Sequence, residues 1–532
     1  MGLALAILLF AVLGLWQLRL PGLYQDEALD VAPAVRLLKG YAPWPYSLCP
    51  ATLGLPLMVC DHVGPTSTYL MLPFLRVLGI GVIGVRAYEF AVGLAALVFI
   101  FIWARRALAP GTAWIAALLL AATPSFWLAC RNGLHVSFIV IPVAAAALAC
   151  LDRWRRGGRS RWLYFASFLL GVGLSTKILF VWFLAALAAS MLIAPRNLLR
   201  KLGRWQIAAS ITCFIIGCGP FVAFVALSRG LTIRTILTNL THTTYGVRNA
   251  DVLTNLMTQF RSFAHLLDGS WLTWTGISPQ NPVALPLFLV SAVCLAFHWR
   301  ERETGLLRFS LMAIAVMVLA SCFTITTLGP KHLVILLPFT TVIIAAAIGR
   351  AWSKRRRRGS LAILVLLVAL AAAQLTADIG NDRRYLRSLA ATGGVGLFSS
   401  AHSDLATYLM ANGVAHPLAG DWGFDSNLEV LSQGRVRVRQ IFELTEAPPY
   451  QFTRQQARGA LRSRESVFLF HAEPISATPG RFQAVAAVAR EMGVDLKLAA
   501  AFRDGRGRPV AFVYRPSAAE PTKAPTGPGD GT

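Results

Sequence analysis

Two adjacent acids follow the first apolar segment of the chain. Asp26 and Glu27 lie within residues 24–30, directly after the apolar N-terminal run. A carboxylate in such a position can accept a proton from a hydroxyl group during group transfer. Asp26 can instead cap the short helix that leads to Lys39, or both acids can lie solvated at a membrane surface. By spacing alone, these structural interpretations are the more common ones.

Cationic and polar side chains also occur on the predicted outer side, near the ends of other apolar segments or in the long loop 228–282. An ionisable group at membrane depth costs about 2.5–3.5 kcal/mol on insertion scales, so each one calls for a partner or a function. For any single residue, snorkelling to the lipid headgroups is the alternative explanation. Several cations gathered beside one acidic pair would form an anion site next to a carboxylate. The residues concerned are Arg86, Glu89, Arg131, Asn132, His135, Lys177, Tyr245, Arg248, Arg261, Lys331 and His332.

The segments that must position these residues are long and apolar. The chain has 532 residues, of which 56% are hydrophobic and only 14% charged, whereas soluble domains carry about 25% charged residues. Apolar stretches close to the ~20 residues that a bilayer requires predict repeated membrane spans. We predict about eleven transmembrane helices, near residues 3–20, 85–104, 111–129, 134–151, 162–177, 178–194, 207–227, 283–299, 307–326, 331–349 and 360–378. The first is interpreted as an uncleaved span.

Basic residues are concentrated in short loops, and this predicts the orientation. The formal net charge is +25, which the positive-inside rule explains more simply than nucleic-acid binding does. The basic loops at 105–110, 152–161, 195–206, 300–306 and 351–359 all face the cytoplasm if the broken apolar stretch 66–83 lies in the interface and does not cross. Outer loops 21–84 and 228–282 and everything after residue 380 then lie outside.

Residues 381–516 differ from the apolar part of the chain. Predicted strands (395–400, 436–443, 466–472, 495–501 and 509–514) alternate with predicted helices (403–412, 452–463 and 481–492), which favours an α/β domain. The fold class is therefore a polytopic α-helical membrane protein with a C-terminal soluble α/β domain. Its parts are a transmembrane domain at 1–380, a soluble domain at 381–516 and a disordered tail at 517–532.

The cysteines do not indicate a metal site. There are eight of them, with no CxxC pair, and most lie in apolar segments where cysteine acts as a small hydrophobic residue. Cys49 and Cys60 lie close together in a polar loop. A disulfide between them and two reduced thiols are equally consistent with the sequence.

Several segments together resemble one family. Tyr24-Gln25-Asp26-Glu27-Ala28, followed by residues 34–40, resembles the first outer loop of the GT-C glycosyltransferases. More narrowly, it resembles family 39, the protein mannosyltransferase and aminoarabinose transferase group. Further segments that match in register are 64–70, 84–89, Gly173-Leu174-Ser175-Thr176-Lys177, and Lys331-His332 with Pro338. The likeness covers roughly residues 1–350, and it depends on the order and topology of these segments.

Two segments depart from the family pattern. Many members carry a second acid soon after the arginine at the turn between the third and fourth spans, but no acid follows Arg131 here. A Lys-Pro-Pro run that is common in the interfacial helix is replaced by His62-Val63-Gly64-Pro65.

The resemblance implies an inverting membrane glycosyltransferase. Its donor would be a sugar on a polyprenyl phosphate, and its acceptor a hydroxyl of a lipid, protein or polysaccharide at the outer face of the plasma membrane. Asp26 would act as base beside Glu27. The donor phosphate would be bound by Arg131, Lys177, Lys331, His332 and Arg86, and the substrate loops would contribute Tyr245, Arg248 and His62. No cofactor is predicted; a divalent metal would be compatible but is not predicted.

Two other functions use the same residues. A transporter or flippase for anionic lipids or sugars would use the cations without covalent chemistry, although no inverted repeat or matching pair of Gly/Pro-broken spans is evident. A non-catalytic GT-C-like subunit would keep the fold without the activity, and the retained pair Asp26-Glu27 argues mildly against it.

Overall fold

The computed structural model describes residues 1–48, 54–108, 111–133, 138–193, 202–240, 243, 247–297, 305–324, 329–443 and 446–518. It divides the chain into two compact units, one formed by Met1–Leu20 with Asp26–Ala391 and the other by Pro21–Gln25 with Thr392–Thr532. The predicted boundary after residue 380 falls inside the last helix of the first unit. The predicted tail begins within a strand that ends at Ala518, and residues 519–532 lie outside the described part.

The first unit is built mainly of helices. The helices up to residue 107 are α1 (Gly2–Leu15), α2 (Gln25–Ala28), α3 (Val31–Lys39), α4 (Thr66–Leu78) and α5 (Val82–Ala107), and the segment between α3 and α4 contains the short hairpin β1 (Ser47–Leu48) and β2 (Leu55–Pro56). The remaining helices are α6 (Ala113–Ala122), α7 (Pro124–Arg131), α8 (Val140–Gly157), α9 (Ser160–Thr176), α10 (Phe180–Ile193), α11 (Arg204–Gly217), α12 (Gly219–Leu227), α13 (Leu231–Thr238), α14 (Val252–Asp268), α15 (Ala284–Ala296), α16 (Gly305–Ala320), α17 (Leu337–Ser353) and α18 (Arg358–Thr392).

Helix length and composition indicate which segments could cross a membrane. Among the described residues, α5, the segment Val334–Ser353 and α18 are each long and apolar enough to cross a membrane. The pairs α6–α7 and α11–α12 are bent by 67° and 68°, and counting each pair as one span raises the number to five. Helices also overlap the other predicted spans, but these are shorter or more polar. The count of about eleven therefore stays a prediction.

Helix α4 is the segment predicted to lie in the interface. It has 13 residues, with Pro73 inside it, so at 1.5 Å per residue it is about 20 Å long. That is shorter than the ~30 Å hydrocarbon core of a bilayer. Gly79 and Gly81, which have positive φ, separate it from α5, so the two helices do not form one long span.

The second unit is a mixed sheet with helices on both faces. Its strands are β3 (Leu418–Ala419), β4 (Arg439–Gln440), β5 (Phe468–His471), β6 (Val494–Arg503) and β7 (Pro509–Ala518), in the order β4-β3-β5-β7-β6. Strand β3 runs parallel to β4 and β5, whereas β7 is antiparallel to β5 and β6. The helices are α19 (Ala401–Ala411), α20 (Asp425–Leu431), α21 (Gln451–Ala460) and α22 (Arg481–Glu491).

Strand β5 is buried on both faces, which explains why its first three residues, Phe468, Leu469 and Phe470, are all apolar. Leu469 packs in a cluster with residues of α19 and α20, whereas Phe468 and Phe470 pack in a second cluster with residues of α21 and α22. Alternate side chains of a strand point to opposite faces, so each cluster lies on its own side of the sheet.

Part of the predicted secondary structure of this unit is wrong. Residues 395–400 were predicted as a strand, but Gly396–Phe398 form a 3₁₀ turn, with Gly394 and Gly396 in positive-φ conformations. Strand β3 and helix α20 were not predicted. Two residues are too few to give β3 an alternating pattern, and α20 has only seven residues.

Candidate active site

The adjacent acids Asp26 and Glu27 lie in helix α2, and each has a different partner. Asp26 Oδ2 accepts a hydrogen bond from Lys331 Nζ at 2.7 Å. The Asp26 side chain is 9% exposed and that of Lys331 is 32% exposed. Lys331 lies in a 3₁₀ turn, Pro330–His332, and reaches Asp26 across 305 positions of sequence. This ion pair is therefore partly open to solvent.

Glu27 forms a closed ion pair with Arg86. Arg86 Nε donates to Glu27 Oε1 at 2.7 Å and Arg86 Nη2 donates to Glu27 Oε2 at 3.1 Å. Both side chains are completely buried. Arg86 Nη1 also donates to the carbonyl oxygen of Leu18 at 2.9 Å. A two-pronged pair of this kind fixes the orientation of both groups.

The interpretation that Asp26 caps the helix leading to Lys39 is wrong. That helix, α3, has Asp30 at its N-cap position, and no side chain makes the capping hydrogen bond there. Asp26 lies four residues earlier, inside α2.

Asp30 is a third acid near the pair that the sequence analysis did not select. It is 2% exposed, and burial raises the pKa of its carboxyl to about 7, although a hydrogen bond from Ser67 acts in the opposite direction. Its backbone carbonyl accepts a hydrogen bond from Thr68 Oγ1 at 2.8 Å. Asp30 lies in the turn between α2 and α3, so no helical spacing in the sequence pointed to it.

Lys177 and His332 form a second polar contact near Asp26. Lys177 Nζ donates to His332 Nδ1 at 3.2 Å. Lys177 is 3% exposed and lies within electrostatic range of Asp26, Asp30 and Lys331. The structure thus brings together three of the five predicted phosphate-binding residues, Lys177, Lys331 and His332, around the Asp26 carboxylate.

The same two residues line a pocket whose other walls are mostly apolar. Lys177 and His332 lie on it together with Val140, Leu179, Phe180, Trp182, Met317, Ser321, Leu333 and Ile335. A pocket with a cationic end and apolar walls matches a ligand that has an anionic head and a hydrocarbon chain.

Arg131 lies elsewhere and contacts the backbone. Its Nη2 donates to the carbonyl oxygens of Gln17 at 2.6 Å and Leu20 at 2.8 Å, and its guanidinium lies over the Trp127 ring. Like Arg86, which contacts the Leu18 carbonyl, it is fully buried. Both arginines therefore anchor the segment that follows α1.

Of the residues predicted for the substrate loops, His62 lies within electrostatic range of His332, whereas no described contact joins Arg248 to this cluster. Tyr245 lies outside the described residues. Arg248 is exposed, and its backbone carbonyl accepts a hydrogen bond from Asn255 Nδ2 at 2.9 Å. His62 contacts its neighbour Asp61, with 2.6 Å between His62 Nδ1 and Asp61 Oδ1.

Comparison with known proteins identifies the fold. No curated protein matches the chain in sequence. The family model for dolichyl-phosphate-mannose-protein mannosyltransferase matches residues 62–224. In a search of solved structures, apo ArnT from Cupriavidus metallidurans superposes with a TM-score of 0.61 at 13% identity, over 96% of this chain and 97% of that one. The same protein bound to undecaprenyl phosphate gives a TM-score of 0.59 at 13% identity, again over 96% and 97% of the two chains.

An archaeal protein is also similar. The oligosaccharyltransferase AglB from Archaeoglobus fulgidus, in complex with an inhibitory peptide and a dolichol-phosphate, has a TM-score of 0.55 at 12% identity, over 99% of this chain and 74% of that one. The chain has the GT-C glycosyltransferase fold. The predicted resemblance to this group is confirmed, both by the family model and by the fold.

Proposed function

We propose that this chain is a membrane glycosyltransferase that moves a sugar from a polyprenyl-phosphate donor to an acceptor hydroxyl. The observation that carries the proposal is the partly open pair of Asp26 and Lys331. This ion pair lies beside Lys177 and His332. Lys177 and His332 in turn line a pocket whose other walls are mostly apolar. A carboxylate, adjacent cations and a hydrophobic channel are the three features that such a donor requires. The GT-C fold supports the same function.

The reaction follows from the chemistry of the donor. The bond between the anomeric carbon and the phosphate oxygen breaks, and the polyprenyl phosphate leaves with both electrons. Lys177, Lys331 and His332 stabilise the negative charge that develops on the phosphate. Because phosphate is a good leaving group, no second carboxylic acid is required, unlike in glycosidases.

Asp26 takes the proton of the acceptor hydroxyl as the new bond to the anomeric carbon forms. An aspartate is a weak base at neutral pH, so proton transfer occurs late, after the sugar has gained oxocarbenium character. Attack from the side opposite the phosphate inverts the anomeric centre. Lys331, whose flexible stem is partly exposed, exchanges its contact with Asp26 for a contact with the phosphate when the donor binds.

Glu27, Arg86 and Arg131 hold the site in place and do not touch substrate. Glu27 is the neighbour of Asp26 in α2 and is fixed by Arg86. The two arginines also fix the backbone carbonyls of Leu18, Gln17 and Leu20. This assignment replaces the direct phosphate contacts that the resemblance implied for Arg86 and Arg131.

The proposed membrane arrangement has about eleven spans in the plasma membrane, with the first outer loop and the C-terminal domain outside. The basic loops support this orientation. In a chain whose eight native cysteines are replaced by serine, single cysteines introduced at residue 156 and at residue 404 should react differently with a membrane-impermeant maleimide on intact cells. Only the second should be labelled, and the reverse pattern would contradict the placement of the site.

The decisive experiment measures sugar transfer by the purified full chain in detergent. A panel of polyprenyl-phosphate hexoses and pentoses is offered with lipid, peptide and polysaccharide acceptors, and the products are analysed by mass spectrometry. We expect transfer from at least one donor, with release of polyprenyl phosphate. Movement of a donor across liposomes without transfer would instead support the flippase alternative and contradict the enzyme.

A further inference from the structure

The turn at residues 60–63 gathers three side chains that commonly bind metals. Cys60 Sγ lies 3.6 Å from His62 Nδ1 and 3.8 Å from His62 Nε2. One ligand atom from each of Cys60, Asp61 and His62 lies within 4.8 Å of the others. We propose that these three residues bind a zinc ion.

The ligand atoms are close enough to reach one tetrahedral zinc ion after side-chain rotation. Zinc bonds of about 2.3 Å to sulfur and about 2.0–2.1 Å to nitrogen, at a tetrahedral angle, put the two ligands about 3.6 Å apart. The distance between Cys60 Sγ and His62 Nδ1 is 3.6 Å, but the sulfur is 3.8 Å from Nε2 as well, so it must turn toward the lone pair of one nitrogen when the ion binds. The Asp61 oxygen is 2.6 Å from the same nitrogen, so this carboxylate must rotate away by somewhat less than 1 Å to become a separate ligand.

The donor set favours zinc over magnesium or calcium. Thiolate and imidazole are ligands of zinc and of softer metals, whereas magnesium and calcium require mainly oxygen ligands. Three protein ligands leave a fourth position for water, as in zinc sites that are open to solvent. The side chains of His62 and Asp61 are 43% and 28% exposed, which gives the ion an entry path.

The backbone that carries the ligands is held from several sides. The carbonyl oxygen of Val59 accepts a hydrogen bond from Trp44 Nε1 at 2.8 Å, and that of Asp61 accepts one from Thr232 Oγ1 at 2.6 Å. The carbonyl oxygen of His62 accepts one from the amide of Ile178 at 3.1 Å. Such outer contacts orient metal ligands before the ion binds.

The turn is joined directly to the segment that carries Lys177. Val63 pairs with Lys177 in an antiparallel bridge, and the Gly64 amide donates to the carbonyl of Thr176 at 2.9 Å. A Cβ atom at residue 64 would lie 1.8 Å from the carbonyl oxygen of Ser175, so this approach requires glycine. Zinc at Cys60, Asp61 and His62 therefore stiffens the loop that supports Lys177, which is a structural role distinct from sugar transfer.

The test measures metal binding by the full chain in detergent, with the residues altered one at a time. Zinc content is measured by plasma mass spectrometry, and metal-free protein is titrated with Co²⁺, whose bond to a thiolate gives a charge-transfer band in the near ultraviolet. The variants are Cys60→Ser and His62→Gln. The matched control is Cys213→Ser, which alters a partly buried thiol in α11.

We expect one zinc ion per chain and the cobalt band in the unaltered protein and in Cys213→Ser. Cys60→Ser should lose the band, and His62→Gln should bind zinc at least 10-fold more weakly. Zinc should raise the melting temperature of the unaltered protein and of the control, but not that of Cys60→Ser. Circular dichroism of each variant checks that it is folded.

Two results would overturn the proposal. One is a cobalt band that survives in Cys60→Ser. The other is a peptide map of the protein, purified without reductant, that shows Cys60 joined to Cys49 in a disulfide, because that sulfur then cannot ligate zinc. Neither measurement depends on sugar transfer, so this proposal and the proposed function fail separately.

Discussion

The two neighbouring acids of α2 differ in what surrounds them more than in their chemistry. Glu27 is completely buried against Arg86, whereas Asp26 contacts a lysine that is 32% exposed. A buried carboxylate that accepts two hydrogen bonds from a guanidinium is stabilised in its charged form and is shielded from a substrate. A carboxylate paired with a flexible, partly exposed ammonium can exchange partners. On the function we propose, Glu27 and Arg86 form the positioning pair, and Asp26 and Lys331 form the reactive one.

The second unit contains a buried polar cluster that, like the pair of Glu27 and Arg86, is closed to solvent. His402 Nε2 and His471 Nε2 are 3.1 Å apart, and His471 Nδ1 is 3.3 Å from Asp421 Oδ2. The Phe424 ring stacks on His471 at 3.9 Å between centroids. Histidine and aspartate together are common in active sites, but all these side chains are buried. We interpret this cluster as structural.

Replacing Asp26 should have the largest effect. Asp26→Asn keeps the shape of the side chain and removes the base, so sugar transfer should fall by about 10²–10⁴-fold, the usual contribution of a positioned base. The melting temperature should change little, because a partly exposed ion pair contributes about 0–1 kcal/mol. Turnover and thermal unfolding are measured beside Asp404→Asn, which alters an exposed acid in α19. A fully active Asp26→Asn protein would contradict the assignment of the base.

Replacing Arg86, which breaks the buried ion pair with Glu27, should mainly lower the free energy of unfolding. Arg86→Met leaves Glu27 buried without its partner, which typically costs about 3–5 kcal/mol. Thermal unfolding should show a large loss in Arg86→Met and a partial recovery in the double variant Glu27→Leu/Arg86→Met, because the apolar pair leaves no buried charge. If Arg86→Met were as stable as the unaltered protein but inactive, Arg86 would act directly on the substrate.

Replacing Lys331, the partly exposed partner of Asp26, should lower activity less than replacing Asp26 does. A hydrogen bond to a charged group contributes about 1.5–3 kcal/mol, so Lys331→Met should lower kcat/KM for the donor by about 10–100-fold. Lys497→Met, which alters an exposed lysine of β6, is the matched control. Equal activities of the two variants would show that Lys331 does not reach the phosphate.

The sequence could predict the apolar helices and the acid pair, because each is a local pattern. It could not separate Asp26 from Glu27, since their partners Lys331 and Arg86 lie 305 and 59 positions away. The turn containing Cys60, Asp61 and His62 was missed for a related reason. Adjacent ligands do not match a familiar zinc spacing, and only the fold of the turn brings their side chains together.

The smallest expected effect is a pH dependence in the closed cluster of the second unit. Burial, and then the neighbouring His471, lower the pKa of His402 to about 3, whereas a histidine in the unfolded chain titrates near 6.5. Between these values the unfolded chain binds the extra proton, so stability is present above about pH 6.5 and is lost as the pH falls.

From pH 7 to pH 5.5 the loss for this one histidine should be about 1 kcal/mol. Hydrogen–deuterium exchange of peptides from α19 and β5 in the full chain, corrected for intrinsic exchange rates, measures it. His402→Leu removes the titrating group, so protection in that variant should depend less on pH. His416→Leu, which alters an exposed histidine of the same unit, should behave like the unaltered protein. If His402→Leu kept the full pH dependence, another group would be responsible and the cluster would not be the pH-sensitive element.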